Sequence, residues 1–292
     1  MLARHFRIIL MWWCILLVPD VMAASELLRY PPPASIHDKR SDYLLAVLQL
    51  ALDEADAEVT LQPFPEAMNK ARAIKLLNNG SLDVVWMTSN REREQTLRPI
   101  RICLYKGLAG WRLALIHKER LAEFAAIHDL ATLRRLSVGQ QEDWADVPVL
   151  RRGGFRVITV PKYDQLFSML QKQRFDWFSR NVLEIWDEEQ TYGRHQLVIE
   201  PHLLLRYPMA YYFFVRKDNE ALAQRIEQGL LRAIADGRFD RLFNAYFGAA
   251  LQRAQLDQRL LLTLPNSDLP PEAPLYQPEF WISPSDAVPT VN

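Results

Sequence analysis

Gly80-Ser-Leu-Asp-Val-Val-Trp-Met-Thr-Ser-Asn-Arg-Glu-Arg93 is the stretch on which the fold depends. Leu82 to Met87 is a short, nearly continuous apolar run, which suits a strand buried on both faces, as in a parallel sheet. It follows a helical pattern closed by Asn79-Gly80 and breaks into the polar Thr88-Ser89-Asn90-Arg91. Ligands of open α/β sheets sit outside the carboxyl ends of strands. This hydroxyl-rich, Arg-bearing loop therefore lies where a ligand would be gripped; the competing reading is an ordinary solvated loop.

Upstream, Leu27–Tyr30 reads as a first strand before three prolines at 31–33. Ser41 can cap a helix over Asp42–Asp53, with Leu45, Leu48 and Leu52 on one stripe. Val59–Gln62 alternates as a strand. Pro65 opens a helix where its missing N–H does no harm, with Met68, Ala71, Ile74 and Leu77 inward and Gly80 as its stop. Downstream, strands are expected at Trp111–Ile116, Val138-Gly139, Phe155–Val160, Phe175–Phe178, Gln196–Glu200 and Tyr211–Val215, with helices over Tyr163–Lys172 and Asn181–Gln190. Asn219 caps a long helix in which Leu222, Ile226, Leu230 and Ile234 recur, ending at Gly237. A shorter aromatic-rich helix follows and closes at Gly248. Alternating strand and helix patterns argue for a parallel α/β sheet.

The chain of 292 residues suits one large or two ordinary domains. Its charge is balanced, 35 basic against 35 acidic residues, which gives no basic excess for nucleic acid and no polybasic membrane patch. Arg4 and Arg7, the apolar run Ile8–Val18 and the small residues at Val21-Met22-Ala23 form a signal-peptide pattern, too short to span a bilayer; an uncleaved interfacial anchor is the competing reading. Cleavage after Ala23 leaves 33 basic and 34 acidic residues and a single cysteine, Cys103. The exported chain then relies on its core and not on an intramolecular disulfide. Residues 265–292 carry seven prolines and read as an extended or disordered tail, although Tyr276, Phe280 and Trp281 are candidates for docking on the body.

Three segments carry a resemblance that covers residues 26 to 250. They are G-S-L-D-V-V-W-M-T-S-N-R at 80–91, D-Q-L-F-S-M-L-Q-K-Q-R-F-D-W-F at 164–178, and the strand, cap, long helix, Gly and aromatic helix at 211–248. Together they resemble the extracellular solute-binding proteins of family 3, the periplasmic binding proteins that serve polar amino acid ABC transporters. The resemblance implies an α/β, two-lobe periplasmic binding protein type II fold with two crossing hinge strands. The implied organisation is a signal peptide at 1–23, lobe 1 at 24–107, lobe 2 at 108–207, a return to lobe 1 at 208–264 and the Pro-rich tail at 265–292. Lobes of this kind close over a ligand by hinge motion.

In that family the Thr-x-x-Arg pair holds the ligand's α-carboxylate, which the resemblance places at Thr88 and Arg91. A guanidinium fork binds a carboxylate bidentately and a hydroxyl adds a donor; Arg93 is the rival for the same role. The family's acidic partner for an α-ammonium would fall near Arg180-Asn181, where a cation stands instead; Glu184, one turn on, could substitute or pair with Arg180. In place of a glycine–hydroxyl loop the chain has V-G-Q-Q-E-D-W at 138–144, so Gln140, Glu142 and Trp144 are cleft candidates. Tyr30, Trp86, Trp111, Trp144, Trp177 and Trp186 could stack in the cleft, with core packing preferred for Trp86 and Trp177.

The ligand-site expectation therefore comprises Thr88, Arg91, Arg93, Tyr30, Trp86, Gln140, Trp144, Arg180 and Glu184. The six histidines, at 5, 37, 117, 128, 195 and 202, show no metal-binding spacing, and no nucleophile elbow or phosphate loop is present. Neither metal, cofactor nor catalytic residue is expected. The expected molecule is a monomeric periplasmic receptor, exported through a cleavable signal peptide, that binds a small polar, carboxylate-bearing solute for an ABC permease. A sensing module for a membrane kinase or cyclase is the alternative, and a periplasmic lyase using Glu184 with a His or Lys is a weaker one.

Overall fold

A computed structural model describes residues 26–33, 40–53, 59–193 and 196–282. The expected signal peptide, His37, His195 and residues 283–292 lie outside the described residues. In chain order the elements are β1 (Glu26–Tyr30), α1 (Arg40–Leu52), β2 (Val59–Pro63), α2 (Lys70–Asn78), β3 (Val85–Thr88), α3 (Arg91–Thr96), β4 (Leu97–Ile100), β5 (Trp111–His117), α4 (Leu121–Ala125), α5 (Leu130–Leu133) and β6 (Ser137–Gln141). They continue as α6 (Asp146–Arg152), β7 (Arg156–Val160), α7 (Tyr163–Gln171), β8 (Trp177–Asn181), α8 (Ile185–Tyr192), β9 (Leu197–Ile199), β10 (Leu203–Arg206), β11 (Tyr211–Arg216), α9 (Glu220–Ala235), α10 (Arg238–Ala254) and β12 (Leu260–Thr263).

The aromatic and β-branched run Tyr211–Val215 favours a pleated, buried surface and forms the middle of a three-stranded sheet. β11 runs antiparallel to β3, with Tyr211 opposite Thr88 and Phe214 opposite Val85, and antiparallel to β4. β1 and β2 pair in parallel. The Arg29 carbonyl accepts the Asp83 and Val84 amides at 2.9 and 3.3 Å, which ties that pair to the segment entering β3. Asn219 caps α9 through the Leu222 amide, and α9 lies across α1 so closely that a Cβ on Gly229 would stand 1.8 Å from the Ala51 carbonyl oxygen. Helix backbones can approach that far only over glycine. Gly229→Ala should therefore push the helices apart and lower the unfolding free energy by about 3 kcal/mol, the upper range for overpacking, as read by urea denaturation.

The second sheet has the order β12-β10-β5-β8-β6-β7, with β9 also pairing β5. β7, β6 and β8 are parallel, as their alternation with helices implies. The parallel expectation is corrected at β5, which is antiparallel to β8, and at β11. Both strands arrive from the other lobe, not through a local helical crossover, so they enter their sheets from the opposite end. Four local expectations are also corrected. Asn69, not Pro65, starts the second helix, accepting the Arg72 amide. The strand expected at Leu82–Met87 is ordered as β3 only from Val85. Gly248 does not stop the last helix, because it faces open space and the buried Leu251 and Ala254 carry the helix onward. Residues 260–263, expected in the lobe 1 return, form β12 on the outer edge of the second sheet, in register with β10.

Asp176, ahead of β8, holds the second sheet's entry. Its carboxylate accepts the Ser137 amide at 2.5 Å and hydroxyl at 2.6 Å and pairs with Arg120. Burial raises its pKa, but the Ser137 and Arg120 donors outweigh that and hold it below the ordinary carboxylate value. A depressed folded pKa contributes stability above the unfolded value and loses it as pH falls through the folded one. The stability gap between wild type and Asp176→Asn should therefore be full at pH 7 and shrink as the pH drops below about 4, measured by urea titration at several pH values.

The hinge is two neighbouring crossings. The Leu104 amide donates to Tyr211 O at 3.0 Å and the Tyr207 amide to Gly110 O at 3.1 Å. A Cβ on Gly110 would stand 1.9 Å from Tyr207 O, so glycine permits the contact. No helix among the described residues is long and apolar enough to cross a membrane.

Candidate functional site

A cleft of about 180 Å³ lies beside these crossings. One wall comes from the β3–α3 junction: Thr88, Ser89, Asn90 and Arg93. The other comes from the loop between β6 and α6: Asp143, Trp144, Ala145 and Pro148. Met209 from the hinge and Asn266 and Asp268 from the tail complete it. Typical pockets for drug-sized ligands run to about 300–1,000 Å³, so this conformation admits only a small occupant.

Local chemistry shapes the first wall. Asn90 takes extended backbone angles and accepts the Arg93 amide at 2.8 Å, the N-cap bond that short polar side chains supply. α3 thus starts at once after β3. The Arg93 guanidinium folds back, donating through Nη1 to Thr88 O at 2.5 Å and Thr88 Oγ1 at 2.9 Å. Burial lowers the Arg93 pKa. Behind it, Ser89 Oγ donates to Glu94 Oε1 at 2.5 Å, and Glu94 Oε2 pairs with Arg101. The wall is therefore rigid, with one guanidinium and a hydroxyl facing the cavity.

Trp144 forms the opposite wall and is backed by aromatic and cationic groups. Its ring stacks on Phe178 with centroids 6.0 Å apart and planes at 14°. The Arg180 guanidinium carbon lies 4.5 Å from its ring centroid, a favourable cation–π distance. Lys70 of α2 and Asp143 form an ion pair at 3.9 Å from one wall to the other. Beneath Met209, Arg112 Nε donates to Tyr207 Oη at 3.0 Å, and both contact Asp146. Burial drives the Tyr207 pKa far up, so its hydroxyl stays protonated as the Asp146 donor.

Of the nine nominated residues, Thr88, Arg93 and Trp144 line this cleft. Arg91 does not; it is exposed, and its Nε donates to Ser267 O at 3.3 Å. Arg180 is buried among Trp144, Tyr163 and Phe178. It donates to Glu188 Oε2 at 2.6 Å and to Glu184 Oε2 at 2.9 Å. Burial works against its charge, but Glu188 outweighs that and raises its pKa above the ordinary value. Glu184 is thereby a partner of Arg180 and does not line the cavity. Gln140 is fully buried and donates to Ser179 O at 3.3 Å, behind the cleft. Tyr30 and Trp86 pack on each other with centroids 5.8 Å apart. Trp111 and Trp177 are core residues.

Sequence reading missed Asp143, Met209, Asn266 and Asp268. Asp143 had a legible signal, since it belongs to the polar run at the carboxyl end of β6. Asn266 and Asp268 had none, because nothing local reveals where a Pro-rich tail goes. Among the described residues no group of three or more His, Cys, Asp or Glu could hold a metal ion.

The model of the family described as bacterial extracellular solute-binding proteins, family 3, matches residues 43–249. Solved structures share the fold. An ancestral arginine-binding protein bound to arginine is 19% identical with a TM-score of 0.56, over 77% of this chain and 99% of that one. A histidine kinase sensor domain with similarity to periplasmic binding proteins is 13% identical with a TM-score of 0.55, over 77% and 96%. A structure from work on glutathione import in Gram-positive bacteria, including Streptococcus mutans, is 11% identical with a TM-score of 0.57, over 77% and 95%. No curated protein sequence matches.

Proposed function

The chain belongs to the bacterial extracellular solute-binding proteins, family 3, and from that premise we propose that it is a periplasmic receptor for a small carboxylate-bearing solute. Arg93 and Thr88 grip the carboxylate, and Trp144 covers the solute from the opposite lobe. The observation that carries this reading is the Arg93 guanidinium, half-buried at the cleft and oriented by two bonds to Thr88. A desolvated guanidinium with donors to spare is a strong partner for a carboxylate. The signal-peptide pattern of residues 1–23 supports export to the periplasm, and an ABC permease is the receptor's proposed partner.

A thermal-shift screen of the twenty amino acids, dicarboxylates, glutathione and short peptides tests the reading. A solute at a hundred times its Kd adds about 2.7 kcal/mol of stability, which should raise the melting temperature by about 5–10 °C. A panel without any stabilising compound would remove the receptor reading. The second reading is a sensing module, favoured by the kinase sensor domain on the same fold. A sensor-kinase gene beside this one would support it, and a permease gene would support transport.

A further inference from the structure

We propose that Leu264–Ile282 is a strap, a fourth connection between the lobes after the two hinge crossings and the α10–β12 link, that limits how far the cleft opens. The segment begins on the second lobe. Leu264 N–H donates to Arg206 O at 2.9 Å, and the Leu264 side chain lies against Gly153, where a Cβ would meet it at 2.9 Å. It then passes the hinge, where Asn266 Nδ2 donates to Pro208 O at 2.9 Å. An Asx turn follows, with the Asp268 amide donating to Asn266 Oδ1 at 3.1 Å.

At Asp268 the strap holds both lobes at once. Its carbonyl accepts the Arg91 amide of the first lobe at 3.1 Å, while its carboxylate pairs with Arg152 of α6 in the second. Beyond that point the strap is sunk into the first lobe. Leu269 and Ala273 are buried in one cluster with Ala73, Leu77 and Met87. Trp281 covers Gly107, where a Cβ would stand 2.3 Å from its ring, and the Ile282 amide donates to Lys106 O at 2.9 Å.

The consequence is mechanical. The two crossings at the hinge allow rotation, but the strap is anchored in the second lobe at Leu264 and in the first at Leu269. The five intervening peptide steps reach at most about 17 Å when fully extended. Rotation must first break the Asp268 contacts and can then proceed only until the strap is taut. Asn266 and Asp268 also line the cleft, so opening removes part of its wall. This accounts for Arg91, which is engaged by the strap at its backbone and its side chain.

The test measures the distance between spin labels at Ala122→Cys on the second lobe and Gln228→Cys on the first, in the full chain. Two strap variants are compared with it: an insertion of eight glycine and serine residues between Leu264 and Pro265, which keeps every anchor, and Asp268→Ala. A strap predicts a narrow distribution in the parent, a broader and longer one with the insertion, and an intermediate one for Asp268→Ala. The Arg91 amide should exchange about tenfold faster in the insertion variant. An insertion variant that folds yet keeps the parent distribution overturns the proposal. So does an Arg91 amide that exchanges at the rate of a free loop in the parent, a measurement that needs no variant. Neither readout uses a ligand, so the strap and the receptor reading stand or fall separately.

Discussion

Arg93→Ala should weaken binding of the carboxylate-bearing solute by about thirtyfold or more while leaving the protein folded. Truncating one partner of a buried, hydrogen-bonded charge pair costs about 2–5 kcal/mol, and each tenfold in affinity is about 1.4 kcal/mol. Arg93 qualifies because it lines the cavity, is desolvated enough for burial to lower its pKa, and is aimed by Thr88. Its removal leaves the Asn90 cap in place, since that bond uses the Arg93 backbone amide. Thr88→Val should give a smaller loss in the same direction, because it removes a donor and the contact that orients Arg93. Arg91→Ala is the discriminating control: it should leave affinity within about threefold of wild type, as expected of a side chain outside the cleft. Titration calorimetry with the solute found by thermal shift decides between them. A severe loss with Arg91→Ala and none with Arg93→Ala would return the carboxylate to Arg91.

Arg180→Ala should destabilise the protein by about 3–5 kcal/mol, the cost of breaking a buried ion pair from one side. Arg180 and Glu188 are both buried, and Glu188 also accepts the Tyr163 hydroxyl at 2.6 Å. Without the guanidinium, Glu188 would be left buried and charged with only the Tyr163 hydroxyl as side-chain donor, and Trp144 would lose the cation behind its ring. Arg180→Met with Glu188→Gln should be markedly more stable than Arg180→Ala alone, because no uncompensated charge remains. Urea denaturation measures both. If Arg180→Ala melts like wild type but loses the solute, Arg180 is a ligand residue and the network reading fails.

Much of this molecule is legible locally. The Asn219 cap, the Leu222–Leu230 stripe and the β-branched and aromatic run before them specify β11 and α9 from neighbouring residues alone. The α-helical face of Leu166, Phe167 and Leu170 is likewise visible in the spacing and buried in the fold. Short-range rules also mislead where packing outweighs them. Gly248 reads as a stop, yet Leu251 and Ala254 draw the helix past it. Leu203–Arg206 and Leu260–Thr263 went unread as strands, because a four-residue apolar run acquires strand geometry only when a partner edge lies beside it.

The cleft divides along the same line. Its location followed from the strand ending at Thr88, since the carboxyl end of a buried strand is where an open sheet offers a site. Its choice of arginine did not follow. Arg91 and Arg93 belong to one Arg-Glu-Arg triplet, and two residues along a helix rotates a side chain by about 200°. One must face the cleft if the other faces away, but the triplet contains nothing that says which. Asn90 sets where α3 begins, and the tail, more than 170 residues later, claims Arg91 at its amide and its Nε.

By itself the sequence determined the alternation of strands and helices, the family pattern over residues 43–249 and the strand end that carries the cleft. These are properties of adjacent residues, held by spacing, caps and apolar periodicity. Only the tertiary structure decided that Arg180 is an internal charge, that Arg93 faces the cavity and that the tail ties the two lobes. Each of these depends on residues distant in sequence meeting in space, where desolvation and partner geometry, not residue type, set what a side chain does.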